Sequence, residues 1–283
     1  MLIDCGEGTQ MRLQQAGLGF GRVERILISH LHGDHYFGLP GLLTSLALQG
    51  RQADLTIISP PGLRDRIAPL LELDRHTLPF PLRFEEWTAK ELLEIYRDDH
   101  LNISVFPLRH RIPTNGYLIR ETARPPNLRK AALRRYRVPW REMEAIRAGA
   151  GFVTDGGRYV PHADLVTSAP APRSYAYCSD TAYFPGLARY VAGVDLLYHE
   201  ATFLADMEPE AAHRGHSTAA QAARTAAEAG VGRLLLGHFS ARYTSVSGHE
   251  REARRVFPRS YAVTDLRRYV VPFRGRTGGA EEE

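Results

Sequence analysis

Cysteine and lysine are almost missing from this chain. Its 283 residues include two cysteines, Cys5 and Cys178, and two lysines, Lys90 and Lys130. Two thiols cannot build a disulfide framework, which excludes the small disulfide-stapled folds and fits a reducing, cytoplasmic setting. With so little lysine, the positive charge is nearly all arginine, either as a compositional bias or for the bidentate phosphate binding that a guanidinium permits. No apolar run approaches the roughly 20 residues that span a bilayer. No basic flank followed by an apolar stretch opens the chain, so no leader peptide is visible. There is no internal repeat. Hydrophobic content of 43% and charged content of 24% exclude a disordered chain as the default, and the net charge of +4 hints only weakly at a polyanionic partner. The length suits a single domain over residues 1–283, with "GRTGGAEEE" at 275–283 reading as a frayed tail.

What is present alternates. The segments "RILIS" (25–29), "DLTIIS" (54–59), "ISVFPL" (103–108), "GYLIR" (116–120), "SYAYCS" (174–179), "DLLYHE" (195–200) and "RLLLGHF" (233–239) read as strands. Residues 38–49, 61–73, 182–191 and 217–230 read as helices, the last with Ser217 as N-cap and Gly230 as stop. Strands alternating with helices predict an α/β fold. Strand after strand ends on a titratable residue: Asp4, His30, His110, Asp180, Glu200, His238. Strand ends running into loops are where an α/β sheet presents ligand and catalytic groups. The rhythm breaks over residues 121–163, an insertion with poor apolar periodicity. Between 124 and 147 it carries eight basic residues against Glu142 and Glu144, a local surplus of six that exceeds the surplus of the whole chain. Taken alone, such a run reads as a solvated helical face.

The strongest signal is "SHLHGDH", Ser29 to His35. On an extended backbone His30 and His32 point the same way and can reach one metal ion. Gly33 permits the turn that would swing Asp34 and His35 toward a second. One loop cannot supply every ligand for two ions. His110, Asp180 and His238 each follow an apolar strand, where a converging ligand has to sit. His76, His100, His162, His213 and His249 lack that placement and read as surface residues. Asp4 is expected to hydrogen-bond the metal loop, and His199 to support the site from behind a ligand.

These motifs resemble a family. H-x-H-x-D-H followed by later His, Asp and His is similar to the metallo-β-lactamase superfamily. "LIDCGEGTQ", "SHLHGDH", "GLPGLL", "CSDT", "HEATF", "GHSTA" and "GHFSARY", in that order from residue 2 to about 245, resemble ribonuclease Z, which matures the 3′ end of transfer RNA. The resemblance implies a four-layer αββα sandwich with a protruding arm, and two zinc ions per subunit, with manganese the alternative. His30, His32 and His110 would hold one ion, Asp34, His35 and His238 the other, with Asp180 bridging. Asp34 would also orient the attacking water. His216 in "GHST" and Glu200 in "HEAT" would protonate the leaving 3′-oxygen, where the plainer reading has His216 as a loop residue beside a helix cap. The insertion takes the place of the family's arm on the precursor transfer RNA. Arg129, Lys130, Arg134, Arg135, Arg137 and Arg141 would then meet phosphates, although the usual glycine-proline tip is replaced by "RVPWREMEAIRAGAG". A homodimer follows, with residues 36–50 at the interface. In the family one or two strands and a substrate-contacting loop precede "LIDCGEGTQ". A chain opening there is expected to expose a sheet edge and to be less stable and impaired on transfer RNA. Two other readings keep some of these residues: a metal-dependent phosphodiesterase of small esters, and an inactive RNA-binding homologue.

Overall fold

In a computed structural model, which describes residues 1–73, 78–169 and 171–271, two sheets pack face to face. The first is all parallel, in the order β1 (Leu2–Ile3), β2 (Arg25–Leu27), β3 (Leu55–Ser59), β4 (Leu82–Glu86). The chain then runs antiparallel through β5 (Leu93–Arg97), β6 (Leu101–Pro107) and β7 (Asn115–Glu121). It leaves for an insertion with β8 (Asn127–Leu128), β9 (Phe152–Val153), β10 (Tyr159–Val160) and β11 (Val166–Thr167). It returns as β12 (Ser174–Cys178), β13 (Leu196–Glu200), β14 (Arg233–Gly237) and β15 (Ser260–Ala262). The second sheet has the order β15-β14-β13-β12-β7-β6-β5, parallel from β12 to β15 and antiparallel elsewhere.

Leu27 and Ile58 meet Ile103, Val105 and Tyr117 between the sheets. The outer face of the first sheet is covered by helices that include Leu39–Leu48, whose buried Leu39, Leu42, Leu43 and Leu46 recur at helical spacing. Each such leucine contributes roughly 2 kcal/mol by leaving water. The outer face of the second sheet is covered by Leu187–Tyr190, Ala219–Glu228 and Ser247–Arg254, where buried alanines let the helices approach closely. This is the αββα sandwich.

All seven strands read from the sequence form. The helices differ more. The stretch 61–73 is helical only over Leu63–Ile67, and 182–191 only over Leu187–Tyr190. The N-cap before Ala219 is Thr218, not Ser217: Thr218 Oγ1 accepts from Gln221 N, and Gln221 Oε1 accepts from Thr218 N. That reciprocal pair needs a glutamine three residues on, which Thr218 has and Ser217 lacks. Ser217 instead donates to the Thr181 carbonyl at 2.7 Å. His249, read as a surface residue, is fully buried between the rings of Phe239 and Tyr243. His76 and the 275–283 tail lie outside the described residues.

The insertion has its own small core, built by Leu133, Val138, Ile146, Phe152, Val160, Leu165 and Val166, and is closed by antiparallel pairing of β8 with β11. Glu121 and Arg173 join where it leaves and re-enters the sheet. The Arg173 amide donates to Oε2 at 2.9 Å and its guanidinium to Oε1 at 2.5 Å.

Candidate metal centre

β2 stops at Leu27, and Ser29–His32 run out extended before a short helix over Gly33–Tyr36. The "LIDCG" segment fixes this loop from below. Asp4, at φ 54°, accepts the Ser29 amide at 2.7 Å on Oδ1, and on Oδ2 the Ser29 hydroxyl at 2.9 Å, His35 Nδ1 at 2.8 Å and the Tyr177 hydroxyl at 2.9 Å. The His35 carbonyl accepts from Cys5 N, and the Cys5 carbonyl from Gly38 N. A side chain at Gly38 would collide with the Gly6 carbonyl, so glycine is required for that approach.

Two nests of donor atoms converge. His30, His32, His110 and Asp180 bring one ligand atom each within 4.8 Å of one another, as do Asp34, His35 and His238. Asp180, 3% exposed, stands between them. Its Oδ2 lies 3.5 Å from His30 Nε2 and 3.8 Å from His110 Nε2, while Oδ1 lies 3.6 Å from His35 Nε2 and 3.2 Å from His238 Nε2. All seven sequence-predicted ligands are therefore brought together. His238 reaches the cluster from a left-handed backbone turn, φ 56°, directly after β14.

The outer ring nitrogens explain why the inner ones are available. His30 Nδ1 bonds the Ser29 hydroxyl, His35 Nδ1 bonds Asp4, His110 Nδ1 bonds the Gly215 carbonyl at 2.7 Å, and His238 Nδ1 bonds the Thr202 hydroxyl at 3.0 Å. With a proton held on Nδ1, each ring turns Nε2 inward, where it can bind a cation once any proton on it has left. His32 Nδ1 is met by His30 Nε2 at 3.0 Å and by His110 Nε2 at 3.2 Å, and protons alone cannot satisfy three converging imidazole nitrogens. His35 Nε2 is buried with no hydrogen-bond partner. The donor set fits a borderline divalent cation such as zinc.

Charge divides the nests. Burial and the neighbouring His35, His110 and His32 rings push His30 down to about 2. Burial opposes charge on His35 as well, but Asp34 and Asp4 outweigh it and raise the ring to about 10. Burial also opposes charge on His238, yet Asp34 and Asp180 lift it to about 8. The His238 and His35 rings, with Nε2 3.8 and 3.4 Å from its Oδ2, hold Asp34 far below the carboxylate range. A cation entering the second nest thus displaces protons, while His30 and His110 in the first, both lowered by burial, already present neutral imidazoles.

Beside this cluster Glu200, fully buried at the end of β13, accepts His216 Nδ1 at 2.8 Å and the Thr181 amide at 2.9 Å on Oε1. Its Oε2 accepts the Thr202 amide at 3.0 Å and hydroxyl at 2.6 Å. Burial would raise this carboxyl, but the bond to His216 holds it below its ordinary value. His216 also lies near Asp180 and His238, close enough to count as a metal-type donor. Its bond to Glu200 instead favours a proton-handling unit. Gly215, at φ 74°, ends the preceding helix and gives its carbonyl to His110, where an added Cβ would strike the ring. His199 Nδ1 bonds the Glu200 carbonyl at 2.7 Å, and its Nε2 is buried without a hydrogen-bond partner among the described residues.

Sequence reasoning missed Thr202, Ser29 and Thr181. Each sits one or two residues from a predicted site residue, and that adjacency was the available signal. In the insertion, Arg129 Nε is used by the Val166 carbonyl at 2.7 Å, and Arg141 lies 3.7 Å from Glu142. Lys130, Arg134, Arg135 and Arg137 are exposed, as is Trp140 at 84%, which sequence reading passed over.

Comparison with known proteins agrees with this geometry. Residues 165–239 match the model of the beta-lactamase superfamily domain, and residues 1–72 that of the anti-Pycsar protein Apyc1. The chain is 45% identical over 257 residues to ribonuclease Z of Bacteroides fragilis, covering 91% of this chain and 84% of that one. It is 42% identical over 270 residues to ribonuclease Z of Ignicoccus hospitalis, covering 95% and 88%. The crystal structure of human tRNase Z, short form, superposes with a TM-score of 0.66 at 27% identity, over 95% of this chain and 87% of that one. The metallo-β-lactamase-fold protein YhfI of Bacillus subtilis, at 19% identity and a TM-score of 0.62, shares the fold. With identities this high over nine-tenths of its length, and donor atoms assembled at its strand ends, the chain belongs to the ribonuclease Z family of metallo-β-lactamase-fold nucleases.

Proposed function

We propose that this chain removes the 3′ trailer from precursor transfer RNA by hydrolysing one phosphodiester, leaving a 3′-hydroxyl on the transfer RNA. The observation that carries the reading is the two-sided Asp180, whose oxygens face separate histidine nests. His30, His32 and His110 would hold one zinc ion and Asp34, His35 and His238 the other, with Asp180 shared. Such a pair supplies Lewis-acid activation of water and neutralises charge on the phosphoryl oxygens.

The chain's own groups do the rest. The Asp34 side chain, 68% exposed, orients the attacking water. As the water oxygen bonds phosphorus, the bond from phosphorus to the upstream 3′-oxygen breaks. His216 is tied through Nδ1 to Glu200, which leaves Nε2 to give its proton to that departing oxygen. Glu200 stabilises the imidazolium and fixes its orientation. The insertion, residues 121–163, serves as the arm on the transfer RNA. Arg134, Arg135 and Arg137 meet phosphates, Arg129, Lys130 and Arg141 add to the same field, and Trp140 offers a stacking face. Met11, Phe37 and Leu48, exposed at 67%, 54% and 84%, support a homodimer through the first helical layer. Among the described residues no helix is long and apolar enough to cross a membrane, which is compatible with work in the cytoplasm.

The test is cleavage of a precursor transfer RNA by the zinc-loaded chain, with the product end analysed. A single cut leaving a 3′-hydroxyl is expected. Deleting residues 124–160 is expected to abolish that cut while keeping hydrolysis of bis(p-nitrophenyl) phosphate. Turnover of the small ester alone by the intact chain would replace this reading with a small-ester phosphodiesterase. Zinc binding without any turnover would replace it with an inactive RNA-binding homologue.

A further inference from the structure

We infer that Glu252 is a positioning residue for proton delivery, holding together the two loops that carry Glu200 and His216. The inference rests on the reading of His216 as the proton donor. Glu252 lies in the helix Ser247–Arg254. Its Oε1 accepts the Ala220 amide at 2.9 Å and its Oε2 the Ala205 amide at 2.9 Å. Ala220 is in the first turn of the helix Ala219–Glu228, just after the loop with His216. Ala205 follows the loop that begins at Glu200 and Thr202. One carboxylate thus spans both segments.

The first three amides of the helix Ala219–Glu228 are satisfied from three places. Ala219 N donates to the Phe203 carbonyl at 3.0 Å, Ala220 N to Glu252, and Gln221 N to Thr218 Oγ1 at 3.2 Å. That helix has no acidic residue in its own first turn, so Glu252 supplies the negative charge its N-terminus favours. Neighbouring contacts fix the direction of the grip. The Tyr243 hydroxyl accepts the Leu204 amide at 3.1 Å, and the buried His249 ring packs on Phe239, the residue after His238. Glu250 Oε2 accepts the Ala262 amide at 2.8 Å, tying the same helix to β15. The helix is therefore anchored to the sheet at one end of the grip and to both loops at the other. The Glu200–His216 bond depends on the relative placement of those loops, and a displacement of about 1 Å is enough to cost a catalytic contact roughly a hundredfold.

The test compares Glu252→Ala and Glu252→Gln with His216→Ala in the zinc-loaded full chain on two substrates. A 3′-oxygen needs a proton to depart, whereas p-nitrophenolate leaves as a stable anion. The ratio of kcat on precursor transfer RNA to kcat on bis(p-nitrophenyl) phosphate is expected to fall at least tenfold in Glu252→Ala, with KM for the transfer RNA little changed. Glu252→Gln, which keeps one acceptor oxygen, should fall between. Zinc content is expected to match the parent, and amide exchange at Ala205 and Ala220 to accelerate in Glu252→Ala. A selective loss in His216→Ala combined with an equal loss on both substrates in Glu252→Ala and Glu252→Gln would overturn the positioning role alone. So would an unchanged ratio in both Glu252 variants. An equal loss on both substrates in His216→Ala would overturn the proton-donor reading on which the inference stands.

Discussion

Replacing Asp4 by asparagine changes one atom outside the ligand set and is expected to loosen the second ion nest. Asp4 accepts four hydrogen bonds: the Ser29 amide on Oδ1, and the Ser29 hydroxyl, His35 Nδ1 and the Tyr177 hydroxyl on Oδ2. Asparagine has a single acceptor oxygen. Placed at the Oδ2 position it keeps three donors but sets its NH2 against the Ser29 N–H. Flipped, it keeps that amide and faces the His35 N–H with another donor. Either choice leaves at least one buried donor unmet, costing roughly 1–3 kcal/mol, and weakens the remaining bonds from charge-assisted to neutral. The metal-free protein should therefore lose roughly 3 kcal/mol of stability. Loss of a carboxylate behind a ligating histidine also typically weakens the ion by about 10–100-fold.

Asparagine is the informative substitution because the backbone at residue 4 is left-handed, φ 54°, a conformation it tolerates at least as well as aspartate. Asp4→Ala adds about 1 kcal/mol of backbone strain and mixes two effects. The assays are urea unfolding of the metal-free chain and competition of the loaded chain with a zinc chelator. One ion should become easy to strip in Asp4→Asn while the one proposed for His30, His32 and His110 stays tight. An unfolding midpoint and chelator profile identical to the parent would refute the claim that Asp4 organises the loop.

Burial pushes the Cys5 thiol up to about 12 and raises that of Cys178 too, so neither is expected to react with a thiol reagent in the folded chain. Rapid stoichiometric labelling under native conditions would contradict that. Hydrogen bonds from the Leu101 amide, the Tyr96 hydroxyl and the His100 amide hold Asp98 down to about 2. A depressed carboxyl contributes stability above its unfolded value near 4 and loses it as pH falls through about 2. Asp98→Ala should cost roughly 1–2 kcal/mol at neutral pH, with the difference from the parent vanishing near pH 2 in urea melts. Replacing Arg134 and Arg135 by alanine should raise KM for precursor transfer RNA far more than for bis(p-nitrophenyl) phosphate. It should also flatten the dependence of transfer RNA binding on salt by about one unit of log–log slope per lost phosphate contact.

Much of the site can be read in the sequence because its candidate ligands follow apolar strands and carry side chains suited to metal. Position and chemistry coincide at His30, His110, Asp180 and His238, and all meet in one cluster. The fold reads well for the same reason: buried parallel strands are near-continuous apolar runs. Strands such as "LRFEE" and "LEIYR" lie toward the sheet margins and carry charge, so they gave no such signal. The insertion hides its core differently. Leu133, Val138, Ile146, Phe152 and Val160 come from short, dissimilar elements, and no single period runs through them. His249 looked like a surface residue because nothing local requires its burial; two aromatic rings from a preceding loop do. Glu252 is the limiting case. Its partners are main-chain amides some thirty and fifty residues upstream, and every residue except proline has an amide, so no residue type marks the pairing. Side-chain chemistry predicts which groups can bind a metal or move a proton. A group such as Glu252, which acts through main-chain amides, is revealed only by the folded chain.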